Sequence, residues 1–412
     1  MNRSHVVVVG AGHGGASAAA TLRQYGFEGA ITVIGAEPSL PYQRPPLSKG
    51  WLKGHVAHEE LLIKPRQAYE QAEITLTLGT NVVGVDRVAR TVELDTGKIV
   101  QYTDLILATG SAVRRLPVPG ADSARVHYLR ERSDADSLKQ ALGPGKRITI
   151  IGGGYIGLEV AASAREMGTS VTLVEQNERL LGRVASPEIA AHFRARHEDE
   201  GVTFVFGRNV TAIEEGEGSD AVVLLDDGTA VRSDVILVGI GGIANARLAV
   251  DAGLECANGI TVDSCGRTSD PHIFAIGDAT FRPVPVCGLS ARLESVPSAV
   301  EQSKQVASAI TGRQSPKPEI PWFWSHQYDL KLQIAGLTTQ ADNRVERRTD
   351  TGLAVFHLAG RKVLSVEAIN SPREYMTARK WITAGEHVDP ALLSDPATTL
   401  ATAVISRDEL SA

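Results

Sequence analysis

The sequence predicts an α/β protein with two Rossmann-like domains and a smaller C-terminal α+β domain. Three observations predict it. A glycine-rich strand–turn–helix–strand pattern occurs twice, each copy runs on into a hairpin and a buried strand ending in glycine, and the stretch after residue 320 abruptly concentrates aromatic residues. Internal duplication has to be recognised before a fold is read, because it means two related domains rather than one large one. A chain of 412 residues, 43% hydrophobic and 22% charged, suits a soluble globular protein of two or three domains.

The first copy reads HVVVVGAGHGGASAAATLRQYGFEGAITVIGAE: an apolar run enters Gly10, Gly12, Gly14 and Gly15, a helical segment follows, and a second apolar run leads to Ala36 and Glu37. The second reads RITIIGGGYIGLEVAASAREMGTSVTLVE, with Gly152, Gly154 and Gly157 in the turn and Glu175 at the end of the second run. In this pattern the first glycine permits a tight turn, the second lets backbone approach a pyrophosphate, and the third lets the helix pack on the strand. The phosphates then rest on free N–H groups at the helix N-terminus. Glu175 stands where an acid accepts hydrogen bonds from a ribose 2′-OH and repels a 2′-phosphate, so the second site is expected to prefer NAD(H) to NADP(H). A single motif of this kind also marks ordinary strand-to-helix turns; two in full context predict two dinucleotide sites.

After the first unit comes PYQRPPLSKGWLKG, residues 41–54, a loop stiffened by three prolines and charged by Arg44, Lys49 and Lys53. It leaves the carboxyl end of a predicted parallel sheet, where open α/β folds bind ligands, although a solvated basic loop has the same composition. TVELDTGKIVQY, residues 91–102, predicts a hairpin turning at Asp95–Gly97, and AVVLLDDGTAVR, residues 221–232, a second turning at Asp227–Gly228. The Pro- and Gly-rich stretch 113–145 fits a crossing between domains. The expected organisation is a discontinuous domain of residues 1–113 and 242–320, a domain of residues 114–241, and a C-terminal domain of residues 321–412. Asp278 follows the apolar run 273–276 and fits either a group that holds sugar-like hydroxyls or a turn or N-cap aspartate. Ser295 and Pro297 open a helical pattern carrying Val296 and closing at Gly312, and free N–H groups at such a start stabilise an anion. In the last domain Trp322, Phe323, Trp324 and Tyr328 fit core or contact surface alike, and SPREYMTARKWITAG reads as a closing helix.

Net charge of −6 leaves no electrostatic footprint for nucleic acid or an anionic membrane. No apolar run approaches the roughly 18 residues of a membrane span, and the N-terminal run is too short for a signal peptide, so a cytoplasmic protein is expected. The three cysteines, Cys256, Cys265 and Cys287, form no C-x-x-C pair and argue against a disulfide framework or a metal site.

The segments GAGHGG, PYQRPPLSK, LILATG, HYLRERSDA, GGGYIGLEVA, IFAIGDAT, RLESVPSA and PWFWS together resemble the FAD-dependent, NADH-using ferredoxin reductases that serve bacterial cytochrome P450 and Rieske oxygenase systems. The resemblance covers nearly the whole chain and implies a glutathione-reductase-like arrangement of the two nucleotide domains. It implies noncovalent FAD with Gly10, Gly12, Gly14 and Gly15 at its pyrophosphate and Ala36 and Glu37 beside its adenosine. Val82 and Arg130 would contact the adenosine and phosphate region, Asp278 the ribityl chain and Val296 the pyrimidine edge. Lys49 would lie beside the flavin ring, paired with Glu159, and Arg44 of the same loop would join the cofactor site. For NADH the implied contacts are Gly152, Gly154, Tyr155, Ile156, Gly157, Glu175, Arg183 and the turn ending at Gly241. Trp324 would lie over or beside the ring, near the face that docks a [2Fe-2S] ferredoxin, with Arg44, Lys53, Arg292, Lys331 and Arg373 as candidate docking charges.

In this reading hydride transfer from NADH to flavin is performed by the cofactors, while the protein supplies stacking, orientation and charge. Two departures from the family pattern stand out: His326 replaces the usual Asp, Glu or Asn, and Ala244 replaces a proline. Competing readings are an NADH oxidase, peroxidase or disulfide-reductase-like flavoenzyme, which would need a reactive cysteine in the first domain, where none occurs before Cys256, and a redox-sensing protein resembling apoptosis-inducing factor, which would turn over slowly with every acceptor.

Overall fold

The computed structural model describes residues 4–216 and 220–406. The chain divides into two compact units, one of residues 1–43, 58–112 and 243–322, the other of residues 44–57, 113–242 and 323–412.

The first unit is built on a parallel five-stranded sheet in the order Ile273–Ala275, Asp104–Leu107, His5–Val9, Ala30–Gly35 and Ile74–Leu78. The strands His5–Val9, Asp104–Leu107 and Ile273–Ala275 are near-continuous apolar runs because both faces of the sheet are covered there, whereas the edge strand Ile74–Leu78 alternates with threonine. On one face the helix His13–Gln24 packs with the helix Val296–Thr311 around Val6, Val8, Ile106 and Phe274; on the other, Val7, Leu105 and Ile273 meet a second cluster with Val92 and Leu94. The helix Val296–Thr311 starts at Ser295, whose hydroxyl accepts from the Ser298 N–H, and stops at Gly312 in the left-handed region, φ +68°. The hairpin expected at residues 91–102 is present as Thr91–Leu94 and Ile99–Gln101, with Val82–Asp86 completing a three-stranded sheet.

The second unit repeats the plan. Its parallel sheet runs Thr203–Phe206, Ser170–Glu175, Arg147–Ile151, Val235–Val238 and Val126–His127, and Val210–Glu215, Ala221–Leu225 and Ala230–Ser233 form the companion three-stranded sheet. The same unit holds the C-terminal five-stranded sheet, ordered Trp322–Gln327, Leu330–Gly336, Lys362–Ile369, Leu353–Ala359 and Asn343–Arg348. The helix Pro372–Ala384 closes it, ending at Gly385 with φ +68°. One hydrophobic cluster joins the nucleotide-fold residues Ile150, Leu158 and Phe193 to Leu330, Leu332 and Val355 of the C-terminal sheet.

Residues 44–57 lie in the second unit, although they interrupt the first in sequence. Leu52 is fully buried in the second unit's core, the Trp51 indole donates to Asp136 at 2.8 Å, Lys53 pairs with Glu166 at 2.6 Å, and Ser163 donates to the Ser48 carbonyl at 2.7 Å.

Candidate functional site

Both glycine turns carry an open cradle at the start of a long helix. At Gly10, φ is +112° and a Cβ would stand 2.2 Å from the Ala108 carbonyl oxygen; at Gly15 it would stand 1.8 Å from the carbonyl oxygen of Gly10. These two glycines are fixed by backbone packing. Gly14 is held by packing too, with Ile276 Cδ1 3.3 Å from where its Cβ would be. Gly12 is different. It is the N-cap of the helix His13–Gln24, its backbone is extended, no side chain caps the helix, and a Cβ there would meet nothing within 4 Å. No protein neighbour requires glycine at this point, and the bare N-cap leaves open space in front of the free N–H groups at the helix start.

The second turn has the same division of labour. Gly152 has φ +109° and faces the Gly239 carbonyl, Gly157 faces the Gly152 carbonyl, and Gly154, N-cap of the helix Tyr155–Glu166, has open space before it. Glu175 ends the adjoining strand, only 8% exposed. Its Oε2 accepts from the Gly153 N–H at 2.7 Å and its Oε1 from the backbone and side-chain amides of Asn177 at 2.8 and 2.5 Å, which anchors the carboxylate beside the turn. Arg183 is exposed, with a guanidinium nitrogen 3.5 Å from the point a Cβ of Gly241 would occupy. Gly152, Gly154, Gly157, Glu175, Arg183 and Gly241 therefore gather at one end of the second sheet. Ile156 leaves 46% of an apolar side chain exposed there, and the Tyr155 ring stacks obliquely on Phe323 with centroids 4.7 Å apart. Burial pushes the Tyr155 phenol well above its ordinary pKa, helped by Glu367 and Glu159.

Glu159, one turn further along the same helix, is 3% exposed and lies at the centre of a polar cluster. Lys49 Nζ is 2.6 Å from its Oε2, the Ser48 hydroxyl donates to Oε2 at 2.6 Å, and the Ser325 hydroxyl donates to Oε1 at 2.6 Å. The Gln327 amide donates to Ser325 at 3.1 Å, and its carbonyl oxygen lies 2.8 Å from His197 Nε2. A carboxylate taken out of water is tolerated only when its lone pairs are used and a countercharge is near. His197 is fully buried, and desolvation drives its pKa down to about 4, so near neutrality it is an uncharged anchor for Gln327. Trp324 and the exposed His326 alternate along the strand with the buried Ser325 and Gln327, and so stand on its opposite face. Partial burial of the His326 ring, with Lys49 and Lys331 nearby, holds its pKa below the ordinary histidine value.

In the first unit, the Tyr42 hydroxyl donates to the Glu37 carboxylate, with Ala36 exposed beside it. Asp278 sits in the single 3-10 turn Gly277–Ala279 and accepts from the Ser111 hydroxyl at 3.2 Å. Val296 is the first residue of its helix, and Arg282 and Glu301, 4% and 5% exposed, form an ion pair of 2.6 Å with the Ser298 hydroxyl bonded to the same arginine. Val82 opens its strand, half-buried against the core. Arg130 and Arg44 belong to the second unit, where Arg44 donates to the Arg130 carbonyl.

Of the five expected docking charges, Lys53 is neutralised by Glu166 and Arg292 by Glu294, whereas Lys331 and Arg373 are exposed and pair with no carboxylate among the described residues. All three cysteines are partly buried, and burial raises the Cys256 thiol pKa. Among the described residues no cluster of three or more His, Cys, Asp or Glu side chains could hold a metal ion, and no helix is long and apolar enough to cross a membrane.

The residues around Glu159 that sequence reasoning missed are Ser48, Ser325, Gln327 and His197. The signal was the alternation of polar with aromatic residues in WFWSHQ, which places two polar side chains on the buried face of a strand.

The chain matches the family model described as pyridine nucleotide-disulphide oxidoreductase over residues 4–303, and the one described as reductase C-terminal over residues 322–404. It is 44% identical to a probable ferredoxin reductase of Castellaniella defragrans, covering 95% of this chain and 96% of the relative. It is 42% identical to rhodocoxin reductase of Rhodococcus erythropolis, covering 95% and 92%. The crystal structure of a covalent putidaredoxin reductase–putidaredoxin complex contains a chain that superimposes with a TM-score of 0.93 at 36% identity, covering 98% of this chain and 99% of that one.

Proposed function

The chain belongs to the pyridine nucleotide-disulphide oxidoreductase family, and on that premise we propose that it is an FAD-dependent NADH:ferredoxin oxidoreductase of the cytoplasm. It passes electrons from NADH through FAD to a [2Fe-2S] ferredoxin that supplies a cytochrome P450 or Rieske-type oxygenase. The observation that carries this reading is the paired Lys49 and Glu159 in a chain with no cysteine before Cys256. A dithiol or peroxide enzyme of the same fold needs a sulfur nucleophile beside its flavin; this chain offers a partly buried, paired ammonium instead. The full-length relatives named for ferredoxin and rhodocoxin reduction support the same conclusion.

In sequence the FAD-binding domain comprises residues 1–113 and 242–320, with the inserted loop 44–57 belonging to the second unit, the NAD-binding domain residues 114–241, and residues 321–412 form the C-terminal domain. FAD, when bound, supplies a carrier that accepts electrons in pairs and releases them singly. The open cradle at Gly12 suits its pyrophosphate, with Gly10 and Gly15 shaping the turn and Gly14 the helix packing. Glu37 borders the adenosine, Asp278 holds the ribityl hydroxyls, and the start of the helix at Val296 faces the pyrimidine edge. Arg44, Arg130, Ala36 and Val82 complete the contacts. Lys49 places a fixed positive charge at the electron-rich ring, and Glu159 with Ser48 and Ser325 keeps that ammonium in place. In the second unit the Gly154 cradle takes the NADH pyrophosphate, Tyr155 and Ile156 present apolar surface to the nicotinamide, and Glu175 and Arg183 hold the adenosine end. Trp324 lies where the ferredoxin approaches.

The deciding experiment is NADH-dependent reduction of a panel of [2Fe-2S] ferredoxins by the purified holoenzyme, set beside thiol, peroxide and dioxygen acceptors. Rapid ferredoxin reduction is expected. Negligible rates with every ferredoxin and fast turnover of a disulfide or peroxide would overturn the assignment.

A further inference from the structure

The loop between Glu175 and the helix Pro187–Asp199 is held along its length by contacts inside the second unit. Arg179 donates to the carbonyls of Leu180, Gly182 and Ala185 at 3.3, 3.0 and 3.0 Å. The Leu181 N–H donates to the Gly153 carbonyl at 2.9 Å, and the Tyr155 hydroxyl to the Val184 carbonyl at 3.2 Å. Leu181 has φ +53°, a left-handed conformation that a bulky side chain keeps only where its surroundings enforce it.

The far end of the loop is secured from the C-terminal sheet. The Ser186 N–H donates to both oxygens of Glu367 at 3.0 and 3.1 Å, and His357 Nε2 lies 2.9 Å from Glu367 Oε2. Glu367 is 1% exposed and His357 5%. They stand on the adjacent strands Lys362–Ile369 and Leu353–Ala359. Beside this contact a cleft of about 260 Å³, lined by Arg183, Val184, Asn343, Arg344 and His357 among others, separates the loop from the sheet. Packing is therefore thin on that side, and the buried bond from Ser186 to Glu367 spans it at the end of the loop, next to the longer, more exposed Arg344–Glu188 ion pair of 3.5 Å. A carboxylate buried to this degree is costly unless strongly bonded, and a loop needed only as a connection would leave its last amide to water or to its own turn.

We infer that Glu367, backed by His357, is a positioning residue for NADH: by fixing Ser186 it sets the geometry of the loop that carries Arg183, and so the affinity of the second unit for the nucleotide. This rests on the reading of Gly152, Glu175 and Arg183 as the NADH site. Glu367→Gln keeps the volume and one acceptor oxygen while removing the charge and the second acceptor.

The holoenzyme variant is tested by stopped-flow reduction with NADH. The NADH concentration for half-maximal reduction is expected to rise about 5- to 10-fold, as for a weakened charge-assisted bond, with less than a twofold change in limiting rate. Deuterium exchange at the amides of residues 177–186 is expected to accelerate. His357→Gln, which keeps an amide donor but loosens the carboxylate, shifts both readouts in the same direction by less, and serves if the first variant folds poorly. Unchanged half-saturation in both variants, or a fall in limiting rate alone, overturns the inference. Glu175→Ala separates the two ways of failing. If it alters NADH half-saturation while Glu367→Gln does not, the positioning role is wrong; if it leaves both half-saturation and the NADH/NADPH ratio untouched, the placement of the NADH site is wrong and the inference falls with it.

Discussion

The ammonium of Lys49 lies 2.6 Å from the carboxylate of Glu159, whose side chain is 4% exposed. The pair ties the loop of residues 44–57 to the fingerprint helix of the second unit, and two serine hydroxyls fill further acceptor sites of the acid. With those hydroxyls in place Glu159 is not held by the lysine alone, and the lysine, which also donates to the Pro45 carbonyl at 3.2 Å, keeps 22% of its side chain exposed.

Lys49→Met is therefore expected to slow flavin reduction by NADH more than it weakens NADH binding. Glu159→Gln, which leaves the ammonium in place but unpaired, should give a related and smaller defect. Stopped-flow traces across a range of NADH concentrations check both, and reduction at the wild-type rate by Lys49→Met would remove the lysine from the reaction.

NADH is expected to be preferred over NADPH because Glu175 is fixed beside the glycine turn by Gly153 and Asn177 and cannot swing away from an added 2′-phosphate. Like charges in a partly buried site cost on the order of 1 to 3 kcal/mol, roughly 5- to 150-fold. The ratio of kcat/KM for the two nucleotides measures it. Glu175→Ala should narrow the ratio, and equal values in the wild type would refute the assignment.

Acid should destabilise the protein through His197. An unfolded histidine takes up a proton near its ordinary pKa of 6.5, whereas the buried His197 does so only near 4. Between those values the unfolded state binds more protons, so stability rises with pH across the window and is lost on acidification through it. The full difference corresponds to roughly 3 kcal/mol. Urea unfolding at pH 7 and pH 5 should show part of this loss in the wild type. His197→Gln, less stable at pH 7 through lost ring packing, should show a flatter pH dependence; an identical slope in both would discount His197 as the source.

Much of the fold was legible because its signals are local. Glycine spacing marks both turns, Ser295 and Gly312 bracket one helix, Ser371 and Gly385 another, and the turns Asp95–Gly97 and Asp227–Gly228 mark the hairpins. The site was legible only in part. The pairing of Lys49 with Glu159 was implied by family resemblance, since nothing in either segment alone announces a partner over a hundred residues away. Lys53 and Arg292 read as available charge, but Glu166 and Glu294 neutralise them through folded contacts. Glu367 sits in an apolar strand with no motif around it, and its bond to Ser186 exists only once two distant segments pack.

The final prediction concerns the ferredoxin face. The protein carries a net charge of −6, so an acidic ferredoxin needs a locally basic surface to approach. Lys331 and Arg373 are exposed without acidic partners among the described residues, and His326 adds positive charge when protonated. Partial burial and the nearby Lys49 and Lys331 hold its pKa below the ordinary histidine value, so His326 takes up that charge less readily than a solvated histidine. Electrostatic steering across such a surface is screened over a Debye length of roughly 10 Å at 0.1 M salt. Ferredoxin reduction should thus slow as salt rises while flavin reduction by NADH changes little. Charge reversal at Lys331 or Arg373 should raise the KM for ferredoxin and weaken its salt dependence. Trp324→Ala should lower ferredoxin turnover with little effect on ferricyanide reduction. Steady-state assays with the two acceptors over a salt series read all of these together. If Trp324→Ala and both charge reversals left ferredoxin kinetics at wild-type values, the partner would have to dock elsewhere.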